Sequence, residues 1–495
     1  MSNLSHGLLA TNNANIPVHT LAPELLSAVL GPFSTVELSR LLRVCRHWRN
    51  VITHDRTLWK VVDLEGRKNF REDALRTMLA RSGTLEVELR GVHFEVADDS
   101  TSRVPYLEEG DVKVEKTPLE RTLTLIASRM PRICVLELSI HDTRTTRVLG
   151  LSPFDPILMK PAPLLRSVSL VYSNTAGHVR VPVGLFQDAV VTPNLRTARF
   201  KGCFLSDHMA RDSVFALLEN LHVEGRASEW PLQLSALTPT LKTLHLSGGP
   251  GLTDSDRCNL AVRGRVNLVL HDYATSKHVM NQLLLIDVQR LRSVRASGVA
   301  LGIILDRVEG TGTLSFAKDC RIELVLSEGP TCTFDRVTSA ELLEAVSNSS
   351  STREIFRTAK RVSVSADALD VFPSGSIDTQ ALFTRVEEVE ITDLTDTSLL
   401  QRSGLLALIL TNAPRVILRA SEATELTWET CLRVFSVLGL RDKPRFPERL
   451  DLHNIELKQP RWVLENGDPD ERWFFLRVRM YDAQDNLIRR RSLAG

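Results

Sequence analysis

The first 60 residues of the chain place hydrophobic side chains at helical spacing. Residues that recur at intervals of three and four positions predict a short amphipathic helix, and here they are Leu25, Leu26, Val29 and Leu30. Pro23 suits the first helical position, where a missing N–H costs no hydrogen bond. The pair Gly31-Pro32 should end this helix.

A second helix is predicted immediately afterwards. Ser34 and Glu37 have the spacing of a capping box, in which each side chain accepts a hydrogen bond from the other residue's backbone. The hydrophobic positions then follow one wide face of a single helix: Leu38, Leu41, Leu42, Cys45, Trp48, Arg49 and Ile52. A third apolar turn closes at Leu58-Trp59. Because about 40 residues bury little apolar surface, this unit should dock onto the rest of the chain or onto a partner.

From about residue 130 the spacing changes from helical to strand-like. A turn is followed by the phrase apolar-x-x-apolar-x-apolar, clearest at Ile133-Leu136-Leu138, Leu165-Val168-Leu170, Leu195-Ala198-Phe200, Leu218-Leu221-Val223 and Leu241-Leu244-Leu246. Fainter copies occur at Leu268-Leu270, Leu291-Val294-Ala296, Leu324-Leu326, Val386-Val389-Ile391 and Leu450-Leu452. From Leu136 to Leu324 the central residues lie 23 to 32 positions apart, close to the period of a leucine-rich repeat, and the period is lost between Leu324 and Val386. We therefore predict one irregular repeat array over residues 130–482, with an ordinary α/β domain as the alternative.

The remaining segments give weaker signals. Residues 1–20 should be a flexible leader, and residues 61–129 should connect the two regions through a strand at 61–64, a helix at 72–82 ended by Gly83, a strand at 85–89 and an acidic loop at 95–120. Towards the C-terminus the spacing predicts helices at 341–346, 353–361 and 426–440. It predicts an exposed loop at 347–352, a capping strand at 473–481 and a solvated basic tail at 483–495.

Composition narrows the classes of function. The 495 residues carry a net charge of +1, so no strong field attracts nucleic acid or an anionic membrane. Seven scattered cysteines form no Cys-x-x-Cys pair, which argues against zinc and suits a reducing, cytoplasmic or nuclear compartment. The chain shows no signal peptide or membrane span, and no catalytic or cofactor motif. We therefore expect a non-catalytic protein without a cofactor. An α/β enzyme with an unrecognised site is a less favoured alternative.

The order of residues in the first region resembles the F-box. The pattern includes Leu-x-x-Glu-Leu-Leu, a leucine-rich second helix, Val-Cys-Arg-x-Trp-Arg and a late Leu-Trp. One departure is Ala22, which stands where the family usually has proline, while Pro23 follows one place later. The resemblance implies a three-helix module over residues 21–60 that contacts a Skp-family adaptor through Leu21, Pro23, Leu25, Leu26, Val29, Leu38, Leu41, Val44, Cys45, Trp48 and Trp59.

The resemblance also implies a function. F-box proteins join a cullin through the adaptor, and residues 130–482 loosely resemble the irregular leucine-rich regions that follow the F-box in many fungal proteins. The expected role is therefore substrate recognition in a cullin-type (SCF) ubiquitin ligase, with an unknown target protein bound to the repeat region. A protein-interaction scaffold that does not direct degradation is the alternative.

Overall fold

A computed structural model of the protein divides into two compact units. Unit 1 comprises Met1–His245, Gly249–Leu252 and Arg257–Ala261, and unit 2 comprises Leu246–Gly248, Thr253–Asp256 and Val262–Gly495. The structure describes residues 21–64, 72–96, 117–143, 151–174, 179–182, 184–188, 190–204, 214–224, 240–248, 265–271, 273, 275–283, 286–365, 368, 383–393, 413–427, 449–458, 477–481 and 487–492. The predicted leader, most of the acidic loop and most of the helix predicted at 426–440 lie outside these residues. The continuity of a single array over 130–482 stays a prediction.

The N-terminal region of unit 1 is a bundle of three short helices. They are α1 (Pro23–Leu30), α2 (Thr35–Leu41) and α3 (Arg46–His54), and a 3-10 turn follows at Arg56–Trp59. The predicted capping box at Ser34 and Glu37 forms, and Pro23 occupies the first position of α1.

The single helix predicted from Leu38 to Ile52 is wrong. The chain leaves the helical conformation after Leu41, and Cys45 is fully extended with φ −157° and ψ 174°. Cys45 then caps α3, because its Sγ accepts the backbone N–H of Trp48 at 3.4 Å. The two helices therefore share a hydrophobic pattern without being continuous.

The bundle has its own buried core. Leu26, Leu30, Leu38 and Ile52 are fully buried together with Trp59. The Trp59 indole N–H donates to the carbonyl oxygen of Ile52 at 2.6 Å, which satisfies its one polar atom.

The rest of unit 1 is a parallel sheet whose strands alternate with helices or 3-10 turns. The strands of this region are β1 (Val61–Asp63), β2 (Val87–Val96), β3 (Ile133–Asp142), β4 (Ser167–Asn174), β5 (Val179–Arg180), β6 (Thr197–Lys201), β7 (Cys203–Phe204), β8 (Asn220–Glu224) and β9 (Thr243–Ser247), of which β5 and β7 form a separate two-stranded sheet. The connecting helices are α4 (Glu72–Arg81), α5 (Pro118–Ala127) and α6 (Asp155–Leu158). Strands β1, β2, β3, β4, β6 and β8 pair in that order, all in parallel, while β5 pairs with β7. The sheet thus begins at β1, within the region predicted as a connection.

The repeated apolar phrase places each strand's buried side chains in register. Leu138, Leu170, Phe200 and Val223 lie opposite one another on successive strands, and all four are buried. The residues between them are only partly buried or exposed, so one face of the sheet is covered and the other is open. This confirms the predicted strands. A leucine-rich-repeat identity for them stays a prediction.

Unit 2 also contains a largely parallel sheet, in which three pairs of strands are antiparallel. Its strands are β10 (Asn267–His271), β11 (Ser293–Ser297), β12 (Gly312–Ala317), β13 (Arg321–Leu326), β14 (Thr331–Asp335), β15 (Arg361–Ser365), β16 (Glu388–Thr392), β17 (Arg415–Thr427), β18 (Arg449–Lys458), β19 (Arg477–Tyr481) and β20 (Leu487–Ser492). Its helices are α7 (Ser276–Gln282), α8 (Leu301–Leu305), α9 (Ser339–Asn348) and α10 (Ser350–Thr358). Strands pair in the order β10, β11, β14, β13, β12, β15, β16, β17, β18, β19 and β20. The antiparallel pairs are β12–β13, β13–β14 and β19–β20.

Several predictions in unit 2 need correction. The phrase at Leu324-Leu326 lies on β13, which runs antiparallel to both neighbours and is therefore not a repeat strand. The segment 347–352 is not an exposed loop, because buried Ser349 caps α10 directly after α9. Leu426 belongs to β17 rather than to a helix. The basic tail is not a solvated end, since Leu487–Ser492 pairs antiparallel with β19.

Candidate functional site

The helical bundle leaves large hydrophobic side chains uncovered. Leu25 is 58% exposed, Val29 51%, Val44 54% and Phe33 40%. Leu25 and Val29 lie one helical turn apart on the same face of α1, so their side chains are neighbours. These are large hydrophobic side chains that the bundle leaves accessible. We call Leu25, Val29, Phe33 and Val44 the apolar face of the bundle.

The structure separates the eleven predicted adaptor-binding residues by their accessibility. Four are exposed, namely Pro23, Leu25, Val29 and Val44; four are half-buried, namely Leu21, Leu41, Cys45 and Trp48; three are buried, namely Leu26, Leu38 and Trp59. The buried three belong to the core of the bundle and offer no surface to a partner in this conformation. Phe33 is not among the eleven predicted adaptor-binding residues, because it lies outside the helical periods. Its signal was a large hydrophobic residue directly after Gly31-Pro32.

Hydrogen bonds between the helices hold the apolar face in shape. The His47 imidazole Nε2 lies 3.3 Å from the carbonyl oxygen of Leu21, which ties the start of α1 to α3. The Asp55 carboxylate accepts the backbone N–H of Thr57 at 2.8 Å. Burial alone would raise the pKa of Asp55, but hydrogen bonds from Ser27 and Thr57 hold it below its ordinary value. The ionised Asp55 therefore joins α1 to the 3-10 turn at neutral pH.

The capping box at the start of α2 is similarly charge-assisted. The Ser34 backbone N–H and hydroxyl both donate to one oxygen of Glu37 at 2.8 Å. These two hydrogen bonds lower the pKa of Glu37, so the carboxylate stays ionised where it also favours the helix N-terminus. The box sets the direction of α2 immediately after exposed Phe33.

The bundle is fixed to the sheet of unit 1. The Thr35 hydroxyl donates to the carbonyl oxygen of Asp63 at 2.9 Å, and the Asp63 N–H lies 3.1 Å from the same Thr35 oxygen. The guanidinium carbon of Arg81, on α4, lies 4.5 Å from the centre of the Trp59 ring in a cation–π contact. The bundle is therefore anchored to the sheet while its apolar face stays exposed.

A second accessible surface lies on the open face of the same sheet. A cleft of about 690 Å³ crosses β2, β3, β4, β6, β8 and β9, and most of its lining residues are polar. Glu137, Ser169, Arg199 and His222 lie opposite one another on consecutive strands. The His222 ring stacks on His245 with ring centroids 5.4 Å apart. Such a row can form hydrogen bonds and ion pairs with a protein segment laid across the strands.

The buried cysteines are not arranged for chemistry. Burial raises the pKa of the Cys332 thiol to about 12 and raises that of Cys203 further, so both stay protonated at neutral pH. In the described ranges no group of three or more His, Cys, Asp or Glu residues could hold a metal ion. None of the described helices is long and apolar enough to span a membrane.

Comparison with known families identifies the bundle. A family model described as F-box-like matches residues 23–65, which cover all three helices, the 3-10 turn and β1. The chain carries an F-box-like domain. A search of curated proteins finds no match. F-box domains are generally non-catalytic modules that mediate protein interactions and typically bind Skp-type adaptors. The F-box-like domain thus indicates a role in protein interaction, and its apolar face is the accessible part of that domain.

Proposed function

We propose that the protein is a substrate-recognition subunit of a cullin-type ubiquitin ligase. The main support for this proposal is that the F-box-like domain exposes its apolar face, while its buried residues form its core. A Skp-family adaptor would cover Leu25, Val29, Phe33 and Val44, and the adaptor would connect the protein to a cullin. This role requires a cytoplasmic or nuclear location, where the ligase works.

The mechanism of such a subunit is positioning. A target held on a rigid body near the ubiquitin-carrying enzyme reacts faster, because its lysine is kept close to the donor. The anchor between Thr35 and Asp63 and the Arg81–Trp59 contact support a rigid link between the F-box-like domain and the sheet of unit 1. The polar cleft on that sheet is the proposed target surface, and catalysis is left to the other subunits.

The test is adaptor capture by the full-length chain. The double variant Leu25→Asp/Val29→Asp places two charges on the apolar face and should abolish co-purification with the adaptor. Both side chains are more than half exposed, so the thermal unfolding midpoint should stay close to wild type. Leu26 is unsuitable for this test, because a charge at a fully buried position would unfold the bundle.

A matched control is Val190→Asp, since Val190 is 86% exposed but lies outside the F-box-like domain. This variant should capture the adaptor as well as wild type does. Retained capture by the double variant would show that the adaptor does not use α1. Adaptor capture without a cullin, or without an accumulated target when the proteasome is blocked, would favour the scaffold alternative.

A further inference from the structure

A second candidate binding site lies in unit 2, on the open face of its sheet. A cleft of about 670 Å³ is formed at the carboxyl ends of β10, β11 and β14, beside the start of β13. The carboxyl ends of parallel strands are the usual place for ligands in α/β sheets. The residues that line the cleft include Arg295, Arg321, Arg336, Asp319 and Asp335.

Asp335 accepts one hydrogen bond from each of two of these arginines and leaves their other N–H groups available. Arg295 donates its Nε–H to Oδ2 of Asp335 at 2.7 Å, and Arg321 donates its Nε–H to Oδ1 at 3.2 Å. Both arginine side chains remain about half exposed. Their Nη amino groups have no acceptor in the part of the chain that the structure describes. One carboxylate therefore holds two guanidinium groups and leaves four N–H-bearing nitrogens for a ligand.

Other arginines on this sheet each form ion pairs with two carboxylates. Arg361 contacts Glu388 through Nε at 3.0 Å and Glu390 through Nη2 at 2.7 Å. Arg415 contacts Asp451 at 2.6 Å and also pairs with Glu388. These pairs satisfy guanidinium groups through carboxylates of the chain itself. The contrast sets the cleft at Arg295 and Arg321 apart from an ordinary structural ion-pair network.

Arg336 adds an independent observation. Its backbone has φ +56°, a left-handed conformation that is unfavourable for arginine. Asp393 and Asn454, beside and within later strands of the sheet, are also left-handed. Aspartate and asparagine tolerate this conformation well. Left-handed Asp319 and Cys320 belong to the turn between β12 and β13, where such angles are usual. Arg336 directly follows β14, as Asp393 directly follows β16, but an arginine tolerates these angles less well than an aspartate does. Strain of this kind concentrates at binding sites.

We propose that this cleft binds an oxyanion, either a phosphate monoester or a carboxylate, through Arg295, Arg321 and Arg336. Arginine forks match the geometry of both groups and bind them by charge-assisted hydrogen bonds. Glu323 is the next acidic residue on this face, opposite Thr333, and it does not line the cleft. The identification of the oxyanion as part of an acidic or phosphorylated target protein rests on the proposed function. The binding site itself does not.

The experiment is calorimetric titration of the full chain, without adaptor, at constant ionic strength. Phenyl phosphate and benzoate are the two probes, and phenol is the uncharged control. Saturable binding near one equivalent is expected for at least one anion, and the stronger of the two identifies the group. Arg295→Gln should weaken binding roughly tenfold or more, the factor expected for a charge-assisted hydrogen bond. Arg290→Gln is the control, because Arg290 is 81% exposed and pairs with Asp287 outside the cleft.

Arg336→Gly separates binding from folding. Glycine adopts positive φ without strain, so the thermal midpoint should equal or exceed that of wild type while anion affinity falls. Adaptor capture by this variant should be unchanged, so failure of the proposed ligase role and failure of this site give different results. The proposal is overturned if neither anion binds saturably, or if Arg295→Gln and Arg336→Gly both bind as wild type does.

Discussion

The F-box-like domain and the sheet of unit 1 expose surfaces of opposite chemistry. The domain presents Leu25, Val29, Phe33 and Val44, whereas the open face of the sheet presents side chains such as Ser169 and His245. The two regions are joined by hydrogen bonds between Thr35 and Asp63. One region is therefore suited to a hydrophobic partner and the other to a polar one.

The difference arises from how helices and strands sort their residues. Strand positions alternate strictly, so Val168 and Leu170 of β4 point into the core, whereas Val171 lies on the open face. The apolar stripe of α1 is wider than the core it serves. Leu26 and Leu30 fill the interior, and Leu25 and Val29 remain outside. Helix α1 therefore carries more apolar residues than the small core of the bundle covers.

The largest test of this comparison is Trp59→Ala. Trp59 is fully buried, donates a hydrogen bond to Ile52 and lies under Arg81, so its removal should destabilise the domain by about 3–5 kcal/mol. Exposed Val29→Ala should change stability by no more than about 0.5 kcal/mol. Native-state hydrogen exchange of the amides of α1 to α3 measures the opening free energy of this domain. Equal protection in the two variants would contradict the division into core and partner surface.

The corresponding test on the sheet is Leu244→Ala. Leu244 is fully buried on β9, and its truncation should cost about 2–5 kcal/mol. His245, the next residue, stacks on His222 on the open face, so His245→Ala should cost only about 0.2–1 kcal/mol. Denaturant unfolding followed by circular dichroism compares the two variants. A larger loss for His245→Ala would mean that the open face, rather than the buried face, supports the sheet.

Local signals in the sequence predicted much of this fold. The capping box at Ser34, the helix stop at Gly31-Pro32 and the strands at Val168, Ala198 and Leu221 are where their patterns indicated. Helix α5 was missed inside the acidic region, although Thr117 and Glu120 carry the spacing of a capping box. The many acidic residues around this motif favoured the prediction of a loop over that of a helix.

Other features depend on tertiary context. No glycine or proline marks the break between α2 and α3, and cysteine is an unusual cap, so the helix from Leu38 to Ile52 looked continuous. The direction of β13 could not be predicted, because alternation is identical in parallel and antiparallel strands. The sequence also placed Leu25 and Leu26 in one set, while the structure exposes one and buries the other. Only three-dimensional packing decides which residues of a wide apolar stripe face a partner.

The smallest effect is expected at Ala22, where the family pattern has proline. Ala22 precedes α1 with φ −59° and ψ 146°, angles that proline adopts without strain. Ala22→Pro should therefore stabilise the domain by about 0.4–1 kcal/mol, because the unfolded chain loses freedom, provided that Leu21 keeps an extended backbone. The resemblance further predicts tighter adaptor binding, measured by titration with purified adaptor. Pro23→Ala is the matched control, since Pro23 is exposed at the first position of α1. Unchanged or weaker binding of Ala22→Pro, together with a loss in Pro23→Ala, would show that Pro23 already makes the contact that the shifted proline leaves open.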